Sequence, residues 1–592
     1  MSSPSSNIKV ACVGAGYAGL ALARSILDSA PGAQLTIYEA DEGVGGVWRK
    51  TSYPGAGSDF PSHLYALPWA LNPDWARFYS TRPEILAYLE RVAEQSGFLP
   101  YIQFKHRVQS AVWQEQEGLW DISGTRASAQ GEEAWHAKAH VLVNAGGILS
   151  KSNVPSLPGA ESFKGQIVHT SQWNDDILVA NKRVAVIGAG ASAIQIIPAL
   201  QRLGVGHTDL YVRSQAWIGT PFNFAERDAN FKQEAENFGT LFTNDVDIIN
   251  PAYSEEQRNA LRHTKGDVEQ HRKWLEEGFH GSARDLYTRD SPMSLFVRDA
   301  LTGLARAKLA AKPELESSFI PEFSFGCRRP TPGPGFFETI TGSNVDVIQG
   351  AVDHLTNTGI VAAGDDKERA VDLVILATGY KVDHVPPFEL VGRSGSSLRG
   401  EWSQNPRGYL SLATPGMPNY FTIAGPQHPS ANGSLISSFS LLSDYIAKAV
   451  VKLQGLPTGA SLAPKSSVID EFCDYSDNFM KTQVWTQGCN SWYKNSEGRI
   501  TTNWPGTFLH FADTISNPRW GDYDWQKGLA PLKVSDAEAE GSLKAILADG
   551  RGANEPALGV MGPSPAPYLD GKLASMYDIK PAARPTAAAA TA

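Results

Sequence analysis

Short apolar runs that alternate with amphipathic segments dominate the beginning of the chain. Residues 8–13 form an apolar run typical of a buried strand, and residues 18–29 place leucines and an isoleucine at helical spacing. Gln34–Tyr38 predicts a second strand, and the same pattern returns later with strands at Arg183–Ile187 and 209–212. The pattern therefore predicts two parallel β-α-β units and places the chain in the α/β class.

A glycine-rich loop joins the first predicted strand to its helix. Gly14, Gly16 and Gly19 have the spacing that permits a tight turn and a close approach of the backbone to a pyrophosphate. Glu39 follows the next strand, 20 residues after Gly19, where a carboxylate can accept hydrogen bonds from ribose hydroxyls. A glycine-rich turn without a ligand is the alternative, but strand, helix and acid together favour dinucleotide binding.

A second glycine-rich loop follows Arg183–Ile187 and differs in the residue that ends the next strand. Gly188, Gly190 and Ser192 belong to this loop, and the strand ends in Arg213 and Ser214 instead of an acid. A guanidinium at this position can pair with a 2′-phosphate, which favours NADPH over NADH. A solvated surface arginine is the alternative interpretation. Together the two loops predict FAD and NADPH in one chain, with hydride passing from nicotinamide to flavin.

The rest of the pattern predicts how these units are divided. Residues 220–326 are charged and helical in period, with helix-start signals at Ser254 and Ser291. We expect two Rossmann-like dinucleotide-binding domains with a helical insertion. The predicted segments are 1–147 and 384–580 for the FAD domain, 148–219 and 327–383 for the NADPH domain, 220–326 for the insertion and 581–592 for a disordered tail.

Composition and charge narrow the class of protein. The 592 residues are 42% hydrophobic and 19% charged, which suits a globular chain, and no apolar run is long enough to span a bilayer. A net charge of -10 argues against a nucleic-acid partner. The N-terminus has no signal-peptide pattern. The four cysteines are isolated in sequence and form no metal-ligand pattern, so no metal and a reducing, cytoplasmic setting are expected.

Two longer motifs carry a resemblance to a known family. Gly45, Gly46, Val47 and Trp48, followed by Tyr53-Pro-Gly and Asp59, resemble the long fingerprint of type I Baeyer–Villiger monooxygenases. Residues 163–173 resemble their short fingerprint, FxGxxxHxxxW, with Asn174 where the family commonly has Pro or Asp. The final Trp173 favours this branch over related flavin and N-hydroxylating monooxygenases, which usually end the motif in Tyr or Phe. The resemblance extends from about residue 8 to about residue 510.

The resemblance implies a role for individual residues. The residues that would bind the flavin are Gly45, Gly46, Val47, Trp48, Asp59 and Tyr65, and Val108 would contact its adenine end. Arg328 would reach the NADPH phosphate or ribose. Trp492 would close over the nicotinamide from a mobile loop. Arg329 would lie over the reactive face of the flavin, oriented by Asp59. His169 would act on conformation. Each of these residues also has a structural interpretation: Asp59 could form a turn, Arg329 could form a salt bridge in a loop, and each tryptophan could belong to a hydrophobic core. Only their occurrence together favours an active site.

Arg329 determines which oxygenation chemistry is expected. A C4a-peroxyflavin must stay deprotonated to attack a ketone, and a permanently cationic arginine can stabilise that anion. We expect an enzyme that uses O2 to insert one oxygen next to a ketone carbonyl, giving an ester or lactone. N- or S-oxygenation through a protonated hydroperoxyflavin is the alternative. A disulfide reductase is disfavoured because no two cysteines are close in sequence. The sequence does not specify the ketone; a monomer or weak homo-oligomer is expected.

Overall fold

The computed structural model describes residues 7–219, 250–264, 266–431, 433–533 and 566–582, together with residues 543, 547, 550 and 551. The first part of the predicted helical insertion, residues 220–249, lies outside the described residues. The same holds for residues 583–592 of the predicted tail.

Strands and helices are interspersed along the described chain. The strands are β1 Lys9–Val13, β2 Gln34–Tyr38, β3 Ile102–Gln103, β4 His106–Gln114, β5 Leu119–Ser128, β6 Gly131–Ala139, β7 Val141–Asn144, β8 Gln166–His169, β9 Arg183–Ile187, β10 His207–Val212, β11 Val345–Gln349, β12 Val352–Leu355, β13 Gly359–Ala362, β14 Glu368–Ala370, β15 Leu373–Leu376, β16 Glu389–Val391, β17 Tyr420–Thr422, β18 Ala460–Pro464, β19 Tyr523–Lys527 and β20 Ala530–Pro531. The α-helices are α1 Tyr17–Ser29, α2 Val47–Lys50, α3 Arg82–Gln95, α4 Ala191–Arg202, α5 Glu255–His263, α6 Asp267–Tyr287, α7 Pro292–Lys308, α8 Glu316–Phe319, α9 Phe336–Ile340, α10 Leu398–Trp402, α11 Leu435–Gln454, α12 Ser466–Met480 and α13 Phe508–Ser516.

The first parallel sheet is built around the first predicted β-α-β unit. Its strand order is β3-β2-β1-β7-β17, and every neighbouring pair is parallel. Helix α1 covers this sheet and packs against α11, because Leu20, Leu22, Leu442 and Ile446 are fully buried. Parallel strands covered by helices have near-continuous apolar sequences, which is why β1 could be recognised from its residues.

The second parallel sheet repeats this arrangement with the order β11-β10-β9-β15-β8. Strand β8 contains the middle of the short fingerprint and lies at the edge of the sheet, paired with β15. The loops that follow β1 and β9 both face helices, α1 and α4 respectively. The structure therefore confirms the α/β class with two parallel, dinucleotide-binding-type sheets.

The described part of the helical segment connects the two halves of the molecule. Leu261, Val268 and Trp274 from α5 and α6 join the core around the first sheet, whereas Ala305 and Leu309 from the end of α7 join the core around the second. The start signals predicted at Ser254 and Ser291 are confirmed, because each serine side chain accepts the backbone N–H three residues later.

A buried arginine fixes α6 against the first unit. Arg272 is fully buried and donates from Nε to Glu276 Oε2 at 3.0 Å, one turn along the same helix. It also donates to the Ala66 carbonyl at 3.0 Å and to Ser437 Oγ at 2.7 Å. A buried charge is stable only when it is paired and hydrogen-bonded, so these partners determine how the helix lies on the sheet.

Among the described residues, no helix is long and apolar enough to cross a membrane.

Candidate active site

The first glycine loop (residues 14–19) has the conformation that its sequence predicted. Gly14 has a φ of +107°, which a side chain rarely adopts, and a Cβ on Gly19 would lie 2.0 Å from the Gly14 carbonyl oxygen. Gly16 precedes α1, and no side chain caps that helix. The first N–H groups of α1 thus point into the loop, as a pyrophosphate site requires.

Glu39 and the long fingerprint (residues 45–59) converge on this loop. The Glu39 carboxylate is buried and accepts the backbone N–H of Ala15 at 2.7 Å, which places it beside the loop with lone pairs to spare. Gly46 has a φ of +55°, and a Cβ there would lie 3.2 Å from the Cα of Gly16. The two backbones therefore border a narrow space that side chains would fill. These residues fit the phosphates and ribose of FAD.

Aromatic residues continue the same site away from the glycine loop. The Tyr65 ring meets those of Trp48 and Tyr17 edge-on, with centroid distances of 5.6 and 5.3 Å. Burial raises the pKa of Tyr65 well above its ordinary value, so the phenol stays neutral. Val108 is buried in β4 and shares a core with Tyr38, on the side of the first sheet that adjoins Glu39. The positions predicted for the flavin and its adenine end thus lie around one sheet.

The second glycine loop (residues 188–193) carries two cations at its mouth. Gly188 has a φ of +117°, and a Cβ on Gly190 would lie 3.6 Å from Arg328 Nη2. Arg328 donates from Nη1 to the Gln215 carbonyl at 2.8 Å. Burial, and then the neighbouring charge of Arg213, lower the pKa of Arg328 below its ordinary value. Two guanidinium groups that disfavour each other's charge are suited to bind an anion between them.

Arg213 and Ser214 lie where the sequence placed them, at the carboxyl end of β10. Arg213 is exposed, whereas Arg328 is held over Gly190 by the backbone of the neighbouring residues 214 and 215. No side chain caps α4, whose N-terminus follows Gly190 and carries Ser192 in its first turn. The loop, the helix N-terminus and the two arginines together fit the phosphates of NADPH, including a 2′-phosphate.

Arg329 and Asp59 form the pair that the resemblance implied. Arg329 Nε donates to Asp59 Oδ2 and Arg329 Nη2 donates to Asp59 Oδ1, both at 2.8 Å. The third bond runs from Arg329 Nη1 to the Ser430 carbonyl at 2.9 Å. Burial opposes the charge on this guanidinium, but Asp59 outweighs burial and raises the pKa of Arg329 above its ordinary value. Arg329 is therefore a permanent cation in a fixed orientation.

Two tyrosines beside Arg329 were not predicted. The positive charge of Arg329 opposes the rise in pKa that burial causes in both Tyr493 and Tyr287, which shows their proximity, and both rings are buried. Burial raises the pKa of Tyr493 to about 12, although Arg329 lowers it. Tyr493 follows Trp492 directly, so its position in the motif was the available signal. Tyr287 ends α6, and nothing in its local sequence indicates that it reaches the site.

Trp492 lies on the loop that also provides Tyr493. Its ring is 4.6 Å from that of Tyr493, and it packs against a core formed by α6, α7 and neighbouring loops. Its carbonyl accepts the Thr502 hydroxyl at 3.4 Å. Trp492 is thus within the same region as Arg329, on a segment that is separate in sequence from both glycine loops.

A cleft of about 1160 Å³ lies where the long fingerprint meets α4 of the second unit. It is lined by Tyr53 and Gly55 from the long fingerprint, Trp173 from the short one, Gln195 from α4, and Thr331 just after Arg329. A cavity of this size exceeds what most small ligands need. The cleft therefore brings the two fingerprints and both nucleotide-binding units to one place.

The cysteines differ from the expectation. Cys327 and Cys489 are joined by a disulfide, so these cysteines are not isolated, and only Cys12 and Cys473 are free. The pair is 162 residues apart in sequence, and its proximity results from tertiary packing that spacing does not reveal. The pair joins Cys327 to a distant loop and includes no residue of the first nucleotide-binding unit's glycine loop, so it gives no support to a disulfide reductase. A group of His207, Asp209 and Asp346 also brings three ligand-type atoms within 4.8 Å of one another.

Comparisons with known proteins agree with this geometry. Residues 7–220 match the family model for flavin-binding monooxygenase-like proteins. The chain is 36% identical over 527 residues to the FAD-binding monooxygenase stcW of Emericella nidulans, covering 87% of this chain and 83% of the relative. It is 32% identical to a Baeyer–Villiger monooxygenase of Pseudomonas aeruginosa, covering 85% of this chain and 88% of the relative.

A solved monooxygenase structure also resembles this chain. The structure described as an oxidised steroid monooxygenase bound to NADP superposes with a TM-score of 0.72 at 26% identity, covering 88% of this chain and all of that one. Relatives above 30% identity that span most of the chain define its family, and the fingerprints, the two sheets and the Arg329–Asp59 pair are consistent with them. The chain belongs to the type I Baeyer–Villiger flavin monooxygenases.

Proposed function

We propose that this enzyme uses FAD, NADPH and O2 to insert one oxygen atom next to a ketone carbonyl, giving an ester or lactone. The relatives named as FAD-binding monooxygenases and the steroid monooxygenase bound to NADP support this cofactor pair. Bound FAD, once reduced by NADPH, would supply the activated oxygen. The enzyme is expected to act in the cytoplasm as a monomer or weak homo-oligomer.

The observation that carries the proposal is the fixed cation at Arg329. Three of its five N–H groups donate to Asp59 and Ser430, and the other two belong to Nη1 and Nη2. Those two donors can stabilise negative charge that develops on a substrate oxygen, as in an oxyanion hole. Asp59 keeps the guanidinium oriented, so little reorganisation is needed when the charge appears.

The surrounding side chains favour the same reaction. Tyr493 and Tyr287 are buried and neutral beside Arg329, and burial raises the pKa of both phenols. Buried aromatic rings exclude water, and a drier site strengthens the interaction of Arg329 with an oxyanion. A cation that stabilises an anionic oxygen suits attack on a carbonyl better than oxygenation of an amine or sulfide, which needs a protonated oxygen donor.

Arg329→Ala tests this assignment. We expect the variant to bind FAD and to be reduced by NADPH, because neither glycine loop includes Arg329. Ester formation should fall by about 100-fold or more, since loss of one oxyanion donor typically costs about 3 kcal/mol. Flavin reduction is measured by stopped-flow absorbance, and products are identified by mass spectrometry over cyclic and steroid ketones, amines and sulfides.

The matched control is Arg298→Ala, which removes a half-buried arginine whose side chain pairs only with the neighbouring Asp299 among the described contacts. The control should keep wild-type ester formation. Undiminished ester formation by Arg329→Ala would contradict the proposed role. Oxygenation of amines or sulfides in place of ketones by the wild-type enzyme would contradict the proposed reaction.

A further inference from the structure

The disulfide between Cys327 and Cys489 connects two parts of the candidate active site. Cys327 directly precedes Arg328 and Arg329, and Cys489 lies three residues before Trp492. We define the arginine segment as residues 324–330 and the tryptophan loop as residues 487–494. Both sulfur-bearing residues are buried, with 0% and 5% of their surface exposed. The covalent bond therefore runs beneath the site instead of over its surface.

Few other bonds hold the two segments together. The backbone N–H of Ser324 donates to Gln487 Oε1 at 2.7 Å, across the same junction. Lys494 Nζ donates to the carbonyl of Cys489 at 3.0 Å and to that of Gln487, but these bonds lie within the tryptophan loop. The buried, neutral phenol of Tyr493 approaches the Arg329 guanidinium from the loop side, and Arg329 opposes the rise in its pKa that burial causes. The disulfide is thus the strongest link between the cation and the loop.

Arg329 is anchored independently of this link. Its bonds to Asp59 and to the Ser430 carbonyl come from other elements. Breaking the disulfide would therefore leave the Arg329–Asp59 pair in place and release mainly the tryptophan loop. Trp492 and Tyr493 would then lose their fixed distance from the guanidinium.

We propose that Cys327 and Cys489 are positioning residues, whose disulfide holds Trp492 and Tyr493 against Arg329 and keeps water out of the reacting centre. This inference rests on the proposed function. A cross-link over 162 residues removes many open arrangements of the loop. The reduced protein should open the loop more often and lose activated oxygen to water before it reaches the ketone.

The bond can form and break by ordinary thiol chemistry. Two thiols and one molecule of hydrogen peroxide give the disulfide and two molecules of water; the thiols lose two electrons and two protons, and the peroxide is reduced. A dithiol reverses the reaction by exchange and becomes a disulfide itself. Hydrogen peroxide is the by-product expected when oxygen activation fails to reach a substrate, so leakage from the reduced enzyme would restore the bond that prevents leakage.

The first experiment counts thiols. The full-length protein, purified without reductant, is denatured and titrated with a thiol reagent. Two free thiols, from Cys12 and Cys473, are expected, and all four cysteines should react after treatment with a phosphine reductant. Four free thiols in the untreated protein, with no decrease after hydrogen peroxide, would overturn the proposal.

The second experiment separates positioning from general stability. Cys489→Ser is compared with Cys473→Ser, which changes a free buried cysteine in α12. Hydrogen–deuterium exchange of residues 487–494 should increase several-fold in Cys489→Ser and stay at the wild-type level in Cys473→Ser. In the same proteins, hydrogen peroxide released per NADPH consumed should rise several-fold only in Cys489→Ser, with FAD content unchanged.

Reduced wild-type protein provides a check that does not depend on a variant folding. It should show the same faster exchange and the same peroxide release, and peroxide treatment should reverse both. Equal exchange in oxidised and reduced protein would overturn the positioning role. If exchange responds as expected but no ketone yields an ester, the link stands and the proposed function fails.

Discussion

At the scale of single residues, the charges around Arg329 explain why this cation can serve catalysis. A partly buried guanidinium would lose stability through desolvation, but the bidentate bond from Asp59 compensates and fixes its plane. Lysine could not replace it, because an ammonium group cannot form two parallel bonds to one carboxylate while donating elsewhere. The resemblance predicted this pair, and the structure brings its members together across 270 residues.

Arg213 provides a prediction about cofactor preference. Arg213→Ala should raise the KM for NADPH by about 10- to 100-fold, because a hydrogen bond to a charged group is worth about 1.5–3 kcal/mol. The KM for NADH should hardly change, since NADH lacks the 2′-phosphate. Steady-state NAD(P)H oxidation in the presence of a ketone measures both constants. An equal rise in the KM values for NADPH and NADH would show that Arg213 does not recognise the 2′-phosphate.

Lys182→Ala is the control for this variant. Lys182 directly precedes β9, at the end of that strand opposite to the second glycine loop, and does not line the cleft. Its removal changes the net charge of the protein by the same amount as removal of Arg213. An effect of net charge alone on the KM for NADPH would therefore appear in both variants.

The sequence predicted most residues of the site, but not the groups that distant segments bring next to Arg329. Glycine spacing and the acid or arginine at each strand end are local features, so residues 14–19, Glu39 and Arg213 could be found without coordinates. Tyr287 and the Ser430 carbonyl contact or face Arg329 only because separate segments fold together. The Cys327–Cys489 bond has the same origin. Contacts that depend on tertiary packing leave no periodic signal in the sequence.

At the scale of secondary-structure elements, the first glycine loop depends on close backbone packing. Gly19→Ala should abolish FAD binding, because its Cβ would lie 2.0 Å from the Gly14 carbonyl oxygen and α1 would have to move away from β1. Overpacking of this kind typically costs about 1–3 kcal/mol, so the melting temperature should fall as well. FAD content is measured from the absorbance ratio of purified protein, and stability by differential scanning fluorimetry.

Gly303→Ala is the matched control for Gly19→Ala. Gly303 lies within α7, and a Cβ there would meet nothing within 4 Å. Alanine favours a helix over glycine, so this variant should keep its FAD and be at least as stable as the wild type. Retention of FAD by Gly19→Ala would show that α1 can shift without losing the site.

Strand β10 contains a carboxylate whose burial should reduce stability. Asp209 has 1% of its surface exposed and no hydrogen-bond partner among the described residues, although His207 and Arg183 lie within ion-pair distance. Burial raises the pKa of Asp209 above its ordinary value, while these neighbours lower it. A raised pKa means that the folded protein holds the proton more tightly, so stability is lost as the pH rises through that pKa.

Asp209→Asn should therefore raise the melting temperature, by more at pH 7 than at about pH 4, the ordinary pKa of an aspartate. The amide resembles the protonated carboxyl and stays neutral. Thermal unfolding at several pH values checks this, with Asp524→Asn as the control, an exposed aspartate in β19. A variant that loses more stability as the pH rises would show that the carboxylate is favourably paired.

In the fold, too, local sequence patterns predicted individual strands, whereas contacts between distant segments were not predicted. The strands β2 and β9 were predicted with their observed bounds, because their β-branched and apolar residues favour strands. The antiparallel strands β4, β5 and β6 have weaker patterns and were not separated. The packing of α6 on the first unit depends on Arg272, whose partners lie up to 209 residues away. Burial of a charged residue cannot be deduced from its type.

At the scale of the whole molecule, hydrogen bonds connect the two nucleotide-binding units at the cleft. Ser52 Oγ donates to the Trp173 carbonyl at 2.7 Å, joining the long fingerprint to the short one. His169 Nε2 lies 3.1 Å from the Gly379 carbonyl, and burial lowers the pKa of this histidine. The neutral imidazole thus ties the short fingerprint to the segment after β15. These bonds support a conformational role for His169, without contact to a reacting atom.

Tyr53 and Gln195 provide the most direct of these connections. Tyr53 Oη donates to Gln195 Oε1 at 2.6 Å, and Gln195 Nε2 donates to the Gly57 carbonyl at 2.9 Å. Gln195 therefore joins α4 of the second unit to both ends of the segment that leads to Asp59. Because hydride transfer requires the nicotinamide and the flavin to meet, the alignment of the two units should control its rate.

A double-mutant cycle with Tyr53→Phe and Gln195→Ala tests this alignment. Each single variant should slow reduction of the bound flavin by NADPH about fivefold, the equivalent of one hydrogen bond of about 1 kcal/mol, while FAD content stays unchanged. The double variant should be little slower than Gln195→Ala alone, because both changes remove the same bond. Fully additive losses in stopped-flow reduction rates would mean that the two residues act separately, and that this bond does not align the cofactors.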